Sequence, residues 1–282
     1  DVMLAEDVRN VPWVLKSYRL QQLCSERRRF RRVCRALHRL HHPNIQHLVS
    51  VFADSDIHGL EVAYVRFEHC ELGDAAQWLA LGNRPIGEVC SVLGQALAGM
   101  AYIHAASIVH ADVKLDNIFL RSSPAFGPAT TKHQGPHAVL GDFDLCRDFS
   151  AATVATQRSV SVGGTFHYAP PENAGTAAGD VFSFGICMLK ALSGDLGAHA
   201  EHNDAGLPCW QVPLIGDKQV ETLLASVLAK CPADRYSARE IQENEFFRGE
   251  QKAYKEAEHA HKLEYWEQHI ELLRKMEAQS SN

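Results

Sequence analysis

The sequence predicts an α+β protein with two lobes: a small β-rich lobe containing one helix, and a larger, mainly helical lobe, followed by a C-terminal helix. Three observations support this. In residues 47–68, two runs of alternating apolar and polar residues follow a segment with helical periodicity. Longer segments with helical spacing follow. At 282 residues, the chain is long enough for two lobes that each have a core.

Bulk composition narrows the class of protein. The chain is 46% hydrophobic and 22% charged, as expected for an ordinary soluble globular protein. No apolar run approaches the ~20 residues of a membrane span, and no signal peptide is evident, so we expect no membrane partner. Eight scattered cysteines without a Cys-x-x-Cys pair predict reduced thiols and a cytoplasmic location, with nuclear or cytoskeletal association also open. A net charge of -6 argues against nucleic acid as the main partner.

In the first part of the chain, the two alternating runs predict strands at residues 47–53 and 60–68. The helix is expected between Leu20 and Leu40, because apolar residues recur there at helical spacing. Its sequence also contains many arginines: Arg27, Arg28, Arg29, Arg31, Arg32, Arg35 and Arg39. They indicate a solvated helix face or, as the alternative, a docking patch for an acidic partner or a phosphate.

In the large lobe, helices are expected at residues 74–80 and 86–106, and short buried strands at 108–109 and 118–120. Residues 121–138 are rich in Ser, Pro, Gly and Thr, which predicts an inserted hairpin loop. After Phe247 the pattern changes to a charged helix with one apolar stripe. We expect this tail to pack on its own large lobe or, alternatively, on another chain.

The most informative stretch is the loop from His110 to Asn117, between the two short buried strands. Asp112 precedes Lys114 by two residues and Asn117 by five. A carboxylate, an amine and a carboxamide at this spacing can orient a hydroxyl, neutralise a phosphate and hold a metal ion, respectively. The loop therefore has the groups that phosphoryl transfer needs.

This loop resembles the catalytic loop of eukaryotic protein kinases, and the rest of the chain has further motifs of that family in the same order. The resemblance extends to about Phe247. The motifs are Val11-Pro12-Trp13-Val14-Leu15-Lys16, His42-Pro43-Asn44-Ile45, Asp142-Phe143-Asp144 in place of Asp-Phe-Gly, Pro170-Pro171-Glu172 in place of Ala-Pro-Glu, Asp180-Val181-Phe182-Ser183-Phe184-Gly185, and Arg235 as the partner of Glu172.

The resemblance implies a division into a small lobe at 1–67, a hinge at 68–73, a large lobe at 74–247 and a C-terminal helical extension at 248–282. It also implies ATP and Mg2+ as cofactors. Asp112 and Lys114 are then the expected catalytic residues. The expected cofactor-binding residues are Lys16 at the α and β phosphates, Phe67 as gatekeeper, Glu68 and Cys70 in the hinge, and Asn117 and Asp142 at the metal ion.

The expected acceptor is a serine or threonine of a protein substrate. Lys114, two residues after the catalytic Asp, resembles the serine/threonine branch of the family. Thr165 matches the threonine that steadies the catalytic loop in that branch.

Several departures from the family pattern bear on activity. The helix position that normally holds the glutamate partner of the lysine is Val33, and Glu26 lies seven residues, or ~10 Å, earlier on the helix. Asp144 replaces the usual glycine, and its added carboxylate could hold Lys16 or a metal ion. Residues 2–7 and 11–16 resemble two strands of the family's small lobe, the second of which carries the nucleotide-binding lysine. The glycine-rich phosphate loop expected before residues 2–7 is absent, either because the sequence begins after it or because the protein lacks it.

Regulation and peptide docking also differ from the family pattern. Ala111 stands where regulated kinases have arginine, so phosphorylation is not expected to act as an on-switch. The residues concerned are Thr153, Thr156, Ser159 and Ser161. Residues 173–179 form a short link, which weakens the expectation of the usual peptide docking there.

Two functions from different classes follow. The leading hypothesis is an ATP-dependent serine/threonine protein kinase. The alternative is a pseudokinase that acts as a scaffold or structural protein, with partners for the arginine-rich helix and the C-terminal helix. The histidines at 38, 41, 42 and 47 cluster in sequence but are expected on different faces, which does not favour a metal site.

Overall fold

The computed structural model describes residues 1–20, 24–55, 59, 61–122, 135–149, 165–172, 175–195, 201–202, 208–209 and 218–248, without the side chains of 201–202 and 208–209. The predicted C-terminal helix and the four candidate phosphorylation residues lie outside this part. Within it, the α+β fold with a small sheet-containing lobe and a larger helical lobe is confirmed.

The small lobe is built on one antiparallel sheet. Its strands are β1 (Val2–Glu6), β2 (Pro12–Arg19), β3 (Leu48–Ser55) and β4 (Glu61–Glu68), in the order β1-β2-β4-β3. The four predicted strands therefore form, with bounds shifted by one to three residues. The register places Lys16 in the middle of the sheet, between Val2 of β1 and Val65 of β4.

Helix α1 (Cys24–Arg39) packs one apolar face on this sheet. Val33, Ala36 and Leu37 are buried in the core, whereas the seven arginines of the helix are exposed. The ring of Tyr18 in β2 contacts that of Phe30, with centroids 5.6 Å apart. This packing brings α1 beside the strand that carries Lys16.

The large lobe is mainly helical. Its helices are α2 (Ala75–Ala80), α3 (Ile86–Ala105), α4 (Ala177–Ser193), α5 (Lys218–Val227) and α6 (Ala238–Glu243). The side chains of Asp74, Thr176 and Ser237 accept hydrogen bonds from the first turns of α2, α4 and α6, which explains where these helices begin. Helix α3 packs against α4 and α6 and forms the centre of the lobe.

Contrary to the expectation that no segment is long and apolar enough, helix α3 has the length and composition of a membrane span. However, 61% of its most apolar window is buried inside the protein, as is common for the core helix of a globular lobe. A side chain at Gly99 would clash with the backbone carbonyl of Asn44, so the helix passes very close to the turn after α1.

Short strands also form pairs in the large lobe. β5 (Ile108–Val109) pairs with β8 (Arg147–Asp148), and β6 (Ile118–Arg121) pairs with β7 (His137–Leu140), all antiparallel. β9 (Glu201–His202) and β10 (Pro208–Cys209) form a separate pair. The predicted strands on both sides of the catalytic loop are thus confirmed, and most of the predicted hairpin loop lies outside the described residues.

The start of β7 is fastened by a side-chain amide from α3. Oε1 of Gln95 accepts a hydrogen bond from Ala138 N at 2.8 Å, and its Nε2 donates to the carbonyl of Pro136 at 3.1 Å. Asn44 adds a bond from its Nδ2 to the carbonyl of Ala138 at 2.9 Å. These buried amides replace the neighbouring strand that β7 lacks on that side.

Candidate functional site

A buried carboxylate holds the loop from His110 to Asn117 in place. Asp180, in the first turn of α4, accepts backbone hydrogen bonds from His110 at 2.7 Å and Ala111 at 2.8 Å. Its Oδ2 also lies 2.9 Å from His104 Nε2. These bonds hold Ala111 in the left-handed region, at φ 64°, which a non-glycine residue adopts only when its surroundings enforce it.

His110 connects this loop to the segment that contains Asp142. Its Nδ1 accepts from the backbone N–H of Asp112 at 3.3 Å, so Nε2 carries the proton and donates to the carbonyl of Gly141 at 2.8 Å. The imidazole also makes an edge contact with the buried ring of Phe143, at 4.9 Å between centroids. The fully buried histidine therefore has a positioning role.

Asp112, Lys114, Asn117 and Thr165 form one network. The carboxylate of Asp112 accepts from Asn117 Nδ2 at 3.1 Å, from Thr165 N and Oγ1 at 3.1 Å each, and pairs with Lys114 Nζ at 3.0 Å. Lys114 also donates to Thr165 Oγ1 at 2.8 Å. The structure thus brings together the predicted catalytic pair, the predicted metal-binding amide and the threonine.

Lys16 lies on β2 and reaches across to the segment after β7. Its Nζ is 2.6 Å from Asp142 Oδ1 and 2.9 Å from Asp144 Oδ1. Two carboxylates therefore share one ammonium group. Of the two roles left open for Asp144, contact with Lys16 is the one that the geometry shows.

Asp142 has a constrained backbone and a charged side chain. Its φ of 58° and ψ of 69° are left-handed, a conformation that Asp tolerates better than most residues. Burial would raise the pKa of its carboxyl, but the charge of Lys16 and its hydrogen bond outweigh this and hold the pKa below the ordinary value. An ionised carboxylate is the form that a cation requires.

Asp144 is held from α1 as well as from β2. It accepts a hydrogen bond from the hydroxyl of Tyr18 at 2.9 Å, and its carboxylate lies 3.6 Å from Arg29 Nε. Its backbone carbonyl accepts from Arg32 at 2.7 Å. Burial, followed by the charge of Asp144, raises the pKa of Tyr18, so this hydroxyl remains a neutral donor.

Neither Val33 nor Glu26 of α1 provides a partner for Lys16. Val33 is 1% exposed and packs in the core. Glu26 pairs with Arg29 at 3.3 Å instead. The prediction that Glu26 is a poor substitute agrees with this geometry.

The predicted hinge residues lie at the end of β4. Phe67 is buried, and the side chain of Glu68 pairs with Arg121 of β6. Burial raises the pKa of the Cys70 thiol to about 11, so it behaves as a small apolar group. The pairing of the hinge backbone with adenine stays a prediction.

Sequence reasoning also identified the pair between Glu172 and Arg235. Their two parallel bonds, Nη1 to Oε1 and Nη2 to Oε2, are both 2.7 Å long, and the Arg235 side chain is 0% exposed. In contrast, the anchoring role of Asp180 and the arginine contacts to Asp144 were missed. Arg32 and Asp144 are far apart in the sequence, so no local signal links them.

Cys146 is a further buried thiol close to this site. It is buried just after Asp144, and that burial raises its pKa to about 12. We therefore expect this thiol to be inert toward electrophiles.

A cation at this site would need ligands beyond the protein side chains. Among the residues that the structure describes, no three His, Cys, Asp or Glu side chains are grouped to hold a metal ion. Asn117 uses its Nδ2 for Asp112, which leaves its carbonyl oxygen as the atom able to bind a cation. Asn117 and Asp142 therefore fit a magnesium ion that takes its other ligands from phosphate or water.

Comparison with known proteins agrees with this geometry. A family model described as the protein kinase domain matches residues 2–247. Similar proteins include serine/threonine-protein kinase PrkC of Bacillus subtilis (strain 168), 27% identical over 77% of this chain and 33% of the relative. Serine/threonine-protein kinase ppk16 of Schizosaccharomyces pombe is 30% identical over 74% of this chain and 30% of the relative. Serine/threonine-protein kinase pkn2 of Myxococcus xanthus is 32% identical over 60% of this chain and 19% of the relative. The chain spans a third or less of each of these relatives.

Proposed function

Because this chain belongs to the protein kinase family, we propose that it is an ATP-dependent kinase that transfers the γ-phosphate to a serine or threonine of a protein substrate. The observation that carries the proposal is the closed network of Asp112, Lys114 and Asn117, together with the pair of Lys16 and Asp142. A chain that used the fold only as a platform would have no physical need for all five groups.

Asp112 is the residue for the acceptor hydroxyl. Thr165 and Asn117 fix both oxygens of its carboxylate, so its direction is set before a substrate arrives. Lys114 places a positive charge beside it, where the transferring phosphate would lie. Positioning and charge stabilisation of this kind are the main catalytic contributions in phosphoryl transfer.

Lys16, Asn117 and Asp142 are the residues for the nucleotide. Asn117 and Asp142 would hold Mg2+ through oxygen, and Lys16 would contact the α and β phosphates. When bound, Mg2+ would neutralise charge on the phosphates. Mg2+ would then compete with Lys16 for the carboxylate of Asp142, which Lys16 contacts through Oδ1.

Serine or threonine is the proposed acceptor because of Lys114 and Thr165. Their contact at 2.8 Å joins two residues that match the serine/threonine branch of the family. The three relatives above are named as serine/threonine-protein kinases, which supports the same substrate class.

A pseudokinase that acts as a scaffold is the second candidate. The observation that favours it is that Asp142 and Asp144 both hold Lys16, so a nucleotide must compete with two carboxylates for that lysine. An acidic partner could then bind four exposed α1 arginines that have no ion pair within the described residues: Arg27, Arg28, Arg31 and Arg35.

Partners and location remain proposals of the same kind. We propose a protein substrate, and a partner protein for the C-terminal helix if it does not pack on the large lobe. The cysteines whose side chains are described are all free thiols, which supports a reducing compartment such as the cytoplasm.

Mg-ATP binding by calorimetry and thermal shift tests the choice between the two functions. Metal-dependent binding that is lost in Asp142→Asn is the expected result, because the variant removes the negative charge from one of the two proposed metal ligands. Asp148→Asn is the matched control, since it removes a carboxylate that pairs with Arg39 of α1 instead of Lys16. No binding at millimolar nucleotide would contradict the kinase proposal and favour the scaffold.

A further inference from the structure

Four side chains from the small lobe converge on Asp144. Lys16 and Tyr18 approach one carboxylate oxygen at 2.9 Å each, and Arg29 approaches the other at 3.6 Å. Arg32 bonds the backbone carbonyl of the same residue at 2.7 Å. The Asp144 side chain is 13% exposed, so these contacts are partly shielded from water.

We propose that Asp144 is the positioning residue of Lys16, and that it takes over the task that a carboxylate on α1 performs in related proteins. Helix α1 then supplies cations that hold Asp144, instead of an anion that holds Lys16. The sign of the charge that the helix contributes is therefore reversed. The ion pair itself stands without nucleotide, whereas its effect on nucleotide binding rests on the proposed function.

The composition of α1 supports this reversal. Glu26 is the acidic residue of the first turn, and it pairs with Arg29. Val33 is buried among apolar neighbours and contributes no charge. The helix is therefore built to bind a carboxylate beyond its own residues, and Asp144 is the carboxylate that Arg29 and Arg32 reach.

Asp144 also gives Lys16 a partner that is not assigned to the metal ion. Asp142 is assigned to the metal ion, so a lysine held by Asp142 alone would lose its partner when that carboxylate turns to a cation. Asp144 stays in place because Tyr18 and Arg32 hold it independently of Lys16. Lys16 with Arg29 balances the charge of the two aspartates.

The first test measures Lys16 directly and needs no nucleotide. A succinimidyl ester acylates surface amines, and mass spectrometry gives the rate at Lys16 in the wild type, Asp144→Asn and Asp148→Asn. We expect Lys16 to react roughly threefold faster or more in Asp144→Asn, because one of its two charge-assisted bonds is weakened. Asp148→Asn should match the wild type. Equal rates in all three proteins would overturn the proposal.

The second test moves the carboxylate back to α1. We expect Asp144→Gly to weaken Mg-ATP binding about tenfold and to raise KM more than it lowers kcat, as loss of a charge-assisted bond to a binding residue would. Val33→Glu combined with Asp144→Gly should regain most of that affinity. A folded double variant that binds no better than Asp144→Gly would overturn the relocation.

The two tests separate this inference from the proposed function. If the double variant does not fold, the acylation rates of the Asn variant decide the inference. If the wild type binds no Mg-ATP, the kinase proposal fails, and Lys16 acylation still decides whether Asp144 positions this lysine.

Discussion

Asp112 illustrates at the scale of one residue how a fixed geometry differs from a stabilising contact. Its carboxylate already has partners in Lys114, Asn117 and Thr165. An amide of the same shape keeps one oxygen, which can accept from Thr165 or from Asn117 but not from both, because these two residues bond opposite oxygens of the carboxylate. What Asn cannot do is take or orient the proton of an acceptor hydroxyl. Catalysis and stability should therefore separate at this position.

We predict that Asp112→Asn lowers kcat by about 10²- to 10⁴-fold, because this is the usual contribution of a positioned base. Its melting temperature should change by less than about 3 °C. Radiolabelled phosphate transfer and calorimetric melting measure the two quantities. Asp116→Asn, at an exposed neighbouring position, serves as the control. Wild-type activity in Asp112→Asn would remove Asp112 from its proposed role.

At the scale of elements, the pair between Glu172 and Arg235 joins the segment before α4 to the turn before α6. Arg235 also donates to the carbonyls of Ala229 and Ala178, and its guanidinium lies 4.8 Å from the ring of Phe182. A fully buried cation with this many partners is costly to leave incomplete.

We predict that Arg235→Met lowers the free energy of unfolding by about 3–5 kcal/mol, because it leaves the carboxylate of Glu172 without its partner. Urea unfolding followed by circular dichroism measures this change. Arg239→Met is the matched control, since Arg239 pairs with Glu243 at 84% and 63% exposure and should cost less than about 0.5 kcal/mol. Similar losses in both variants would contradict the structural role of the buried pair.

Several elements were predictable from sequence, because they have a local signal. The alternation from Leu60 to Glu68 predicts β4, and the spacing from Phe30 to Leu40 predicts α1. The strand of Lys16 was predicted from the resemblance to a family. Contacts between distant residues have no such signal. Arg32 and Asp144 are 112 positions apart, and His110 and Asp180 are 70 apart, so only the folded chain shows that they meet.

The resemblance to a family predicted more of the site residues than periodicity could. It placed Asp112, Lys114, Asn117 and Asp142 by motif, and the structure places these residues in two connected groups. It identified Asp144 as a departure from the motif but left open whether this carboxylate holds Lys16 or a metal ion, and the contact with Lys16 is seen only in the structure. The replacement of a helix carboxylate by a distant one depends on packing, which a linear pattern does not encode.

At the scale of the whole molecule, the end of the described large lobe is firmly packed. Phe247 is 0% exposed, and its ring lies 6.3 Å from that of Phe184 in α4. A side chain at Gly94 of α3 would touch Phe247 at 3.4 Å. A truncation that keeps residues up to Arg248 therefore preserves this part of the core.

We predict that removal of residues 249–282 lowers the melting temperature and increases binding of a hydrophobic dye. If the apolar stripe of the tail covers a face of its own large lobe, truncation exposes that face to water. Melting curves and dye fluorescence of the full and shortened proteins measure this. A shortened protein that is equally stable and soluble would instead favour a partner in trans.

The buried amide of Gln95 has a consequence for how the sequence can change. It fastens the start of β7 from helix α3, and Asn44 fastens the same strand from another direction. The placement of the strand leading to Asp142 is therefore independent of what connects it to Arg121. Residues can be added or removed in that connection at little entropic cost. We expect this connection to accept an inserted tag or reporter domain, and to tolerate sequence changes although it leads to the strand before Asp142.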